Sequence, residues 1–253
     1  MKWIRERALS GEWMGGTWLN LGSSLTAEIA GKAGFDWLLI DLEHGMGDRY
    51  ELVTQLQAID ATAAAPIVRI AWNDAVLFKR VLDLGVSGVM APMVNTAEEA
   101  RRAAAAMRFP PEGVRGVARM NRASDFGPSF SEYFKKANSH LLTIVQIETT
   151  TAIENLNEIA AVDGVDVLFV GPLDLSVSLG VPDQFDHPLE QQALAKVVAA
   201  ARNAGKAAGI LVANEDQLKT VRKLGFTFVA IGSDGGSVVK EMRALVANLA
   251  KYR

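Results

Sequence analysis

The segment Leu141-Leu142-Thr143-Ile144-Val145-Gln146-Ile147-Glu148 is an apolar run that ends on two polar side chains. A strand buried on both faces of a parallel sheet reads as a near-continuous run of Val, Ile and Leu. Such a run has little reason to close on Gln and Glu unless its carboxyl end opens onto a site. About two dozen residues later the pattern returns as Val167-Leu168-Phe169-Val170-Gly171-Pro172-Leu173-Asp174, and a strand again delivers a carboxylate just past its end. Two acids at the ends of successive parallel strands face one another across one rim.

Six further runs share this character: Thr17–Leu21, Trp37–Leu42, Pro66–Ala71, Gly88–Met93, Ala207–Val212 and Phe226–Ile231. Between the runs lie stretches with helical periodicity, such as Tyr50–Ile59, Asp74–Leu84, Thr96–Met107, Thr151–Ala161, Leu189–Ala204, Glu215–Leu224 and Gly236–Lys251. Asn73-Asp74, Asn95-Thr96 and Asn214 stand before helices, and Gly34, Gly85, Gly164, Gly205 and Gly225 follow them, as caps and stops do. Strands alternating with helices through short connections predict a parallel sheet. Eight such units in 253 residues have the count and length of a (β/α)₈ TIM barrel, with residues 1–253 forming a single domain. An open doubly wound sheet is the alternative, but no Gly-x-Gly-x-x-Gly turn follows the first strand.

One connection breaks the rhythm. From Phe109-Pro110-Pro111 to about Pro128 the chain is rich in Pro, Gly, Arg and Asn and has no periodicity. Connections this long are functional or disordered. Arg115, Arg119 and Arg122 suggest contact with anions or a neighbouring subunit, against the alternative of a solvated surface loop. Our expectation is that Arg119 or Arg122, with Asp125, reaches the mouth of a neighbouring subunit. A short amphipathic helix, Ser129–Asn138, then leads into the fifth strand.

Composition excludes several classes. The formal charge of −3 gives no electrostatic footprint for nucleic acid or an anionic membrane. The absence of cysteine removes disulfides, thiolate metal sites and a cysteine nucleophile. No apolar run approaches the roughly 20 residues that span a bilayer, and Met1 to Ser10 lacks the apolar core of a signal peptide. A soluble cytoplasmic protein is expected.

In a (β/α)₈ enzyme the active site lies at the carboxyl ends of the strands. The polar residues there are Asn20 near the first strand, Asp41, Glu43 and His44 at the second, Arg69 in the third, Gln146 and Glu148 at the fifth, Asp174 at the sixth, and Ser233 and Asp234 at the eighth. Trp18 and Leu211, on the first and seventh strands, are candidate walls for a substrate. The fourth and seventh strands offer only apolar or small groups. Arginine is rare in a buried strand unless paired, so Arg69 points toward an acid or an anionic substrate; a structural salt bridge is the bland alternative. Glu148 and Asp174 form an oxygen-only pair, which suits Mg²⁺ or Mn²⁺, unless each acid merely belongs to a helix cap. His44 stands at the same rim, with Asp41 close by to orient its ring. His140 precedes a strand and belongs to the opposite rim, and His187 lies in a polar loop. No strand carries a lysine for Schiff-base chemistry, since Lys206 sits at the wrong end of the seventh. A dication, a cationic Arg and a general base around one cavity suit an enolate formed next to a carboxylate.

The motifs Leu39-Ile40-Asp41-Leu42-Glu43-His44, Val68-Arg69-Ile70, Val145-Gln146-Ile147-Glu148-Thr149 and Val170-Gly171-Pro172-Leu173-Asp174-Leu175-Ser176 resemble those of the HpcH/HpaI family of metal-dependent 2-oxo-acid aldolases. Pro110-Pro111-Glu112-Gly113-Val114-Arg115-Gly116 extends the match. The resemblance implies a barrel of the phosphoenolpyruvate/pyruvate type, a homo-hexamer, and reversible cleavage of 4-hydroxy-2-oxo acids to pyruvate, or a close 2-oxo acid such as hydroxypyruvate, and an aldehyde. It implies Mg²⁺ or Mn²⁺, with Co²⁺ able to serve, held by Glu148 and Asp174. It further implies Gln146 and the Gly171, Pro172, Leu173, Asp174 backbone as substrate contacts, His44 as base, Arg69 as transition-state stabiliser and Asp83 as an acid that supports the histidine. A role in aromatic or sugar-acid catabolism goes with it. Leu42 and the residues after His44 depart from the commonest pattern. Two rival readings are a citrate-lyase-β-like enzyme acting on acyl-CoA, for which the Arg-rich loop could meet the CoA phosphates, and a non-catalytic barrel that binds small acids.

Overall fold

Each apolar run becomes a strand of one closed sheet. The computed structural model describes residues 2–253, in which β1 (Met14–Leu19), β2 (Trp37–Asp41), β3 (Ala65–Arg69), β4 (Gly88–Ala91), β5 (Leu142–Ile147), β6 (Val167–Val170), β7 (Ala207–Val212) and β8 (Phe228–Ser233) pair in parallel, in sequence order, back to β1. The chain is therefore a (β/α)₈ barrel, and the open-sheet alternative falls. β1 begins three residues before the apolar run predicts, because Met14 and Gly16 pair with Phe228 and Ala230 of β8 to close the barrel.

Side chains alternate across a strand, and that period divides the core in two. Leu38, Ile40 and Val68 point outward to the helices, whereas Trp37, Leu39, Ile67, Leu142, Ile144 and Phe169 fill the barrel interior. Continuing the inward series by one step gives Asp41, Arg69 and Gln146. The top interior layer is thus polar on three strands without any break in strand geometry. Near the base, Trp37 stacks on Phe228 with ring centroids 4.3 Å apart. A Cβ on Gly16 would lie 2.3 Å from the Trp37 ring, so the indole needs glycine there.

Three helices lie outside the stretches whose periodicity predicts them: α1 (Arg5–Leu9), α2 (Ser24–Ala33), announced only by its stop at Gly34, and α9 (Pro172–Ser178). The first closes the base, with Ile4 and Ala8 joining the interior cluster. The stretch predicted as one helix over Thr151–Ala161 is two, α7 (Thr150–Glu154) and α8 (Leu156–Ala160), broken at Asn155, whose amide donates to the carbonyl of Asn95 at 2.9 Å. The other outer helices used below are α3 (Arg49–Asp60), α4 (Ala75–Leu82), α5 (Ala97–Met107), α6 (Phe130–His140), α10 (Pro188–Asn203), α11 (Glu215–Leu224) and α12 (Asp234–Ala250).

The Phe109–Pro128 connection holds only a short 3-10 turn at Arg122–Ser124 and folds onto its own barrel. Arg115 is buried, bonding the Tyr133 hydroxyl at 2.8 Å and Asp83 at 3.0 Å. Arg122 pairs with Asp60 and donates to the Leu84 carbonyl at 2.7 Å. These partners end α3 and α4, so the loop is anchored at the base, opposite its own site. Its exposed residues include the apolar Val114, Val117, Met120 and Phe126, beside Glu112, Arg119 and Asp125. Within the chain Arg115 and Arg122 serve as internal anchors, whereas Arg119 is exposed. Among the described residues no helix is long and apolar enough to cross a membrane.

Glu190, in the first turn of α10, is wholly buried, and neither of its carboxylate oxygens has a hydrogen-bond partner. Burial pushes its pKa from 4.5 up to about 7. Between those values unfolding releases a proton, so stability falls as pH rises and the loss is complete above about pH 7. Glu190→Gln should abolish this slope, gaining up to about 3 kcal/mol on wild type between pH 5 and pH 8. Denaturation midpoints at the two pH values check it; parallel changes in both proteins would assign the slope to other groups.

Candidate active site

The inward arginine of β3 meets the inward aspartate of β2, its register partner. Arg69 Nε lies 2.9 Å from Asp41 Oδ1 and its terminal nitrogen 2.6 Å from Oδ2, a two-bond fork that is almost fully buried. A second guanidinium nitrogen stands 2.8 Å from Glu43 Oε2, an ion-pair contact without hydrogen-bond alignment. The guanidinium also lies 5.6 Å from the centre of the Trp18 ring, within cation–π range. Burial alone would lower the arginine pKa, but the bonds to Asp41 and the charges of Asp41, Glu43 and Glu148 raise it, so Arg69 is a fixed cation.

Asp41 is therefore not free to orient the His44 ring. Its Oδ1 accepts from the backbone N–H groups of Glu43 (3.0 Å) and His44 (3.3 Å), and both oxygens hold Arg69. The carboxylate nearest the imidazole is that of Glu43, with Oε1 3.9 Å from His44 Nε2. Burial holds the Glu43 pKa above the usual range. The imidazole is largely open to solvent, as a group that meets an incoming substrate should be.

Glu148 is buried at the end of β5. Its Oε1 accepts the backbone N–H of Met93 at 2.7 Å and its Oε2 the Gln146 amide at 2.9 Å. Burial, reinforced by the charges of Asp174 and Glu43, pushes its pKa up to about 7. A Cβ at Gly171 would lie 2.4 Å from Glu148 Oε2, so only glycine lets the backbone after β6 come this close. Asp174 lies in the first turn of α9 rather than at its cap, and Thr149, not Glu148, caps α7. The cap alternative thus accounts for neither acid. The fourth strand's contribution went unseen because it is a backbone N–H, on a Met93 with positive φ that no sequence pattern marks.

A cavity of about 970 Å³ is lined by Asp41, His44, Arg69, Gln146 and Asp174, with Glu148 set behind Gln146, which bonds it. Gly171, Pro172 and Leu173 form one wall, Trp18 and Leu211 others. Asp83 does not join them. It follows α4, at the base of the barrel, and is bonded to Arg115. Ser233 caps α12, and Asp234, in its first turn, ties it to β1 by accepting from the Asn20 N–H at 2.8 Å.

Asp41 and Glu43 pair with the one guanidinium, and Glu43 and Glu148 each lie close enough to Asp174 for its charge to raise their proton affinity, a gathering of acids that a cation would offset. Among the described residues no three His, Cys, Asp or Glu side chains gather as a ready metal cage. Glu148 and Asp174 supply two oxygen donors, which fits a hard dication that fills its shell with water or substrate oxygens.

Residues 15–241 match the sequence profile of HpcH/HpaI aldolase/citrate lyase, nearly the whole barrel. The chain belongs to this family. It is 45% identical over 233 residues to the 4-hydroxy-2-oxo-heptane-1,7-dioate aldolase of Shigella sonnei strain Ss046, covering 92% of this chain and 88% of that one. It is 44% identical over 222 residues to the 5-keto-4-deoxy-D-glucarate aldolase of Salmonella paratyphi C strain RKS4594, covering 88% and 86%. Among solved structures, an HpcH/HpaI aldolase/citrate lyase family protein from Burkholderia cenocepacia J2315 superposes with a TM-score of 0.93 at 36% identity, covering 98% of both chains. The family places the chain among aldolase-type enzymes.

Proposed function

We propose that this enzyme is a divalent-metal-dependent aldolase that reversibly cleaves 4-hydroxy-2-oxo acids to pyruvate, or a close 2-oxo acid such as hydroxypyruvate, and an aldehyde. The observation that carries the reading is the Arg69–Asp41 fork set in one cavity with Asp174, Gln146 and His44, with Glu148 bonded to the lining Gln146 at 2.9 Å. Glu148 and Asp174 would hold Mg²⁺ or Mn²⁺, with Co²⁺ as a further candidate. When bound, the dication supplies a Lewis acid beside the 2-oxo group. Gln146, whose Oε1 is buried without a partner, and the backbone of Gly171–Asp174 orient the substrate. His44 takes the 4-hydroxyl proton. The C3–C4 bond then breaks, the aldehyde leaves, and the electron pair passes into the enolate of the 2-oxo acid. Arg69 faces the developing negative charge with no reorganisation, because Asp41 already holds it in place. Protonation at C3 completes the turnover.

Asp83 fits this scheme only between subunits. It lies at the base of its own barrel, so if it supports a histidine, that His44 belongs to another copy. The exposed Val114, Val117, Met120 and Phe126 of the Phe109–Pro128 loop support assembly, as does α12, which buries none of its residues and exposes Val238, Met242, Leu245 and Leu249. A homo-hexamer is part of the proposal, as is a cytoplasmic role in aromatic or sugar-acid catabolism. The acyl-CoA alternative loses its main support, since Arg115 and Arg122 are engaged within the chain and Arg119 packs over Phe130.

Incubated with Mn²⁺ and a panel of 4-hydroxy-2-oxo acids, the protein should release pyruvate, and in D₂O it should exchange the methyl protons of pyruvate itself. An acyl-CoA lyase or a non-catalytic barrel does neither. Absence of exchange with Mg²⁺, Mn²⁺ and Co²⁺ alike would refute the aldolase reading.

A further inference from the structure

The β4–α5 turn, Pro92 to Thr96, contributes no side chain to the chemistry described above, yet it makes one of the two hydrogen bonds that hold Glu148. Met93 has a φ of 54°, in the left-handed region that a long side chain rarely adopts. That conformation turns its N–H onto Glu148 Oε1 at 2.7 Å. Something must hold the turn in it. The next residue, Val94, donates its N–H to the carbonyl of Gln146 at 3.3 Å, which ties the turn to β5. Asn95 does the rest. Its side-chain N–H donates to the Met93 carbonyl at 3.1 Å, and its Oδ1 accepts the hydroxyl of Thr149, the residue directly after Glu148. Its backbone N–H donates to Glu99 at 2.7 Å, and its carbonyl accepts the Asn155 amide.

We propose that Asn95 is a positioning residue: its carboxamide clamps the Met93 turn against the end of β5 and so fixes the rotation of the Glu148 carboxylate. The proposal rests on the reading that Glu148 is a metal ligand. The carboxamide spans from the residue that donates to Glu148 to the residue that follows it. The distance between donor and carboxylate is thereby set by one rigid group. A carboxamide is required, because it presents a donor and an acceptor from the same planar end. With Met93 on Oε1 and Gln146 on Oε2, each oxygen keeps a lone pair directed away from its protein donor. Partners that orient a ligand in this way typically change metal affinity about 10–100-fold when removed.

The test is a titration of the metal-free full-length protein with Mn²⁺, reading free Mn²⁺ by electron paramagnetic resonance, alongside steady-state kinetics at low and saturating Mn²⁺. Asn95→Ala and Asn95→Asp should each weaken Mn²⁺ binding roughly 10–100-fold, while saturating Mn²⁺ restores most of kcat. In the aspartate variant Thr149 keeps its acceptor, but a carboxylate oxygen then faces the Met93 carbonyl and the clamp opens. If both variants bind Mn²⁺ within about twofold of wild type, the proposal is overturned. Should Asn95→Ala fail to fold, a second pair decides. Met93→Gly accepts the left-handed turn and should keep its Mn²⁺ affinity, whereas β-branched Met93→Val resists that turn and should lose it; equal affinities in this pair overturn the proposal. Glu148→Gln separates the two levels. If it binds Mn²⁺ as tightly as wild type, the metal reading falls and the proposal with it. If it loses Mn²⁺ while the Asn95 variants do not, only the clamp falls.

Discussion

Glu148→Gln should lower turnover by roughly 10³-fold or more, because a Lewis acid is worth several kcal/mol at the transition state and each 1.4 kcal/mol is tenfold in rate. The substitution keeps the shape of the side chain and removes its charge. The fold should survive it, since burial already penalises that charge and holds the pKa at about 7. A melting temperature at or above that of metal-free wild type, together with lost turnover, would place the effect in the chemistry. Exhaustive chelation of the wild type should reproduce the loss, and adding back Mg²⁺, Mn²⁺ or Co²⁺ should reverse it. Full activity in chelated enzyme is the outcome this assignment does not survive.

Arg69→Ala should cost on the order of 10²–10³ in kcat/KM, the usual effect of removing one preorganised group from an oxyanion site. Two costs coincide here. The enolate loses its fixed cation, and the buried Asp41 and half-buried Glu43 are left without their partner. Breaking a buried pair from one side destabilises by about 3–5 kcal/mol, so kinetics and thermal unfolding must be read together, at a temperature where the variant is folded. Arg69→Lys should recover part of the stability and little of the rate, because a point charge cannot make the two-bond fork with Asp41. Near-normal turnover in folded Arg69→Ala would reduce Arg69 to a structural ion pair.

The eight strands were legible because burial on both faces writes itself as unbroken apolar runs. Gln146, Glu148 and Asp174 were legible because they interrupt such runs at one end, and Arg69 because arginine is out of place in the middle of one. Residue type and period were enough. The helices α1, α2 and α9 were harder to read, being short or rich in small residues.

The partnerships were not written locally. Asp41 stands three residues before His44, and chain proximity suggests that it serves the imidazole. Its inward direction on β2 and the register with β3 hand it to Arg69 instead, 28 residues away. Asp83 reads as an ordinary helix end. Only the antiparallel run of α4 against its strand shows that it lies at the base, beyond reach of its own chain's His44. The three arginines of the long loop suggest partners outside the chain, yet packing gives Asp83 and Tyr133 to Arg115, Asp60 to Arg122 and a face of Phe130 to Arg119. Met93 reads as one more apolar strand end, yet it supplies an N–H to Glu148, 55 residues on. Which residues are polar, and at which end of which strand, follows from local pattern. Which donor meets which acceptor depends on strand register and barrel closure, and those exist only once the eight strands have met.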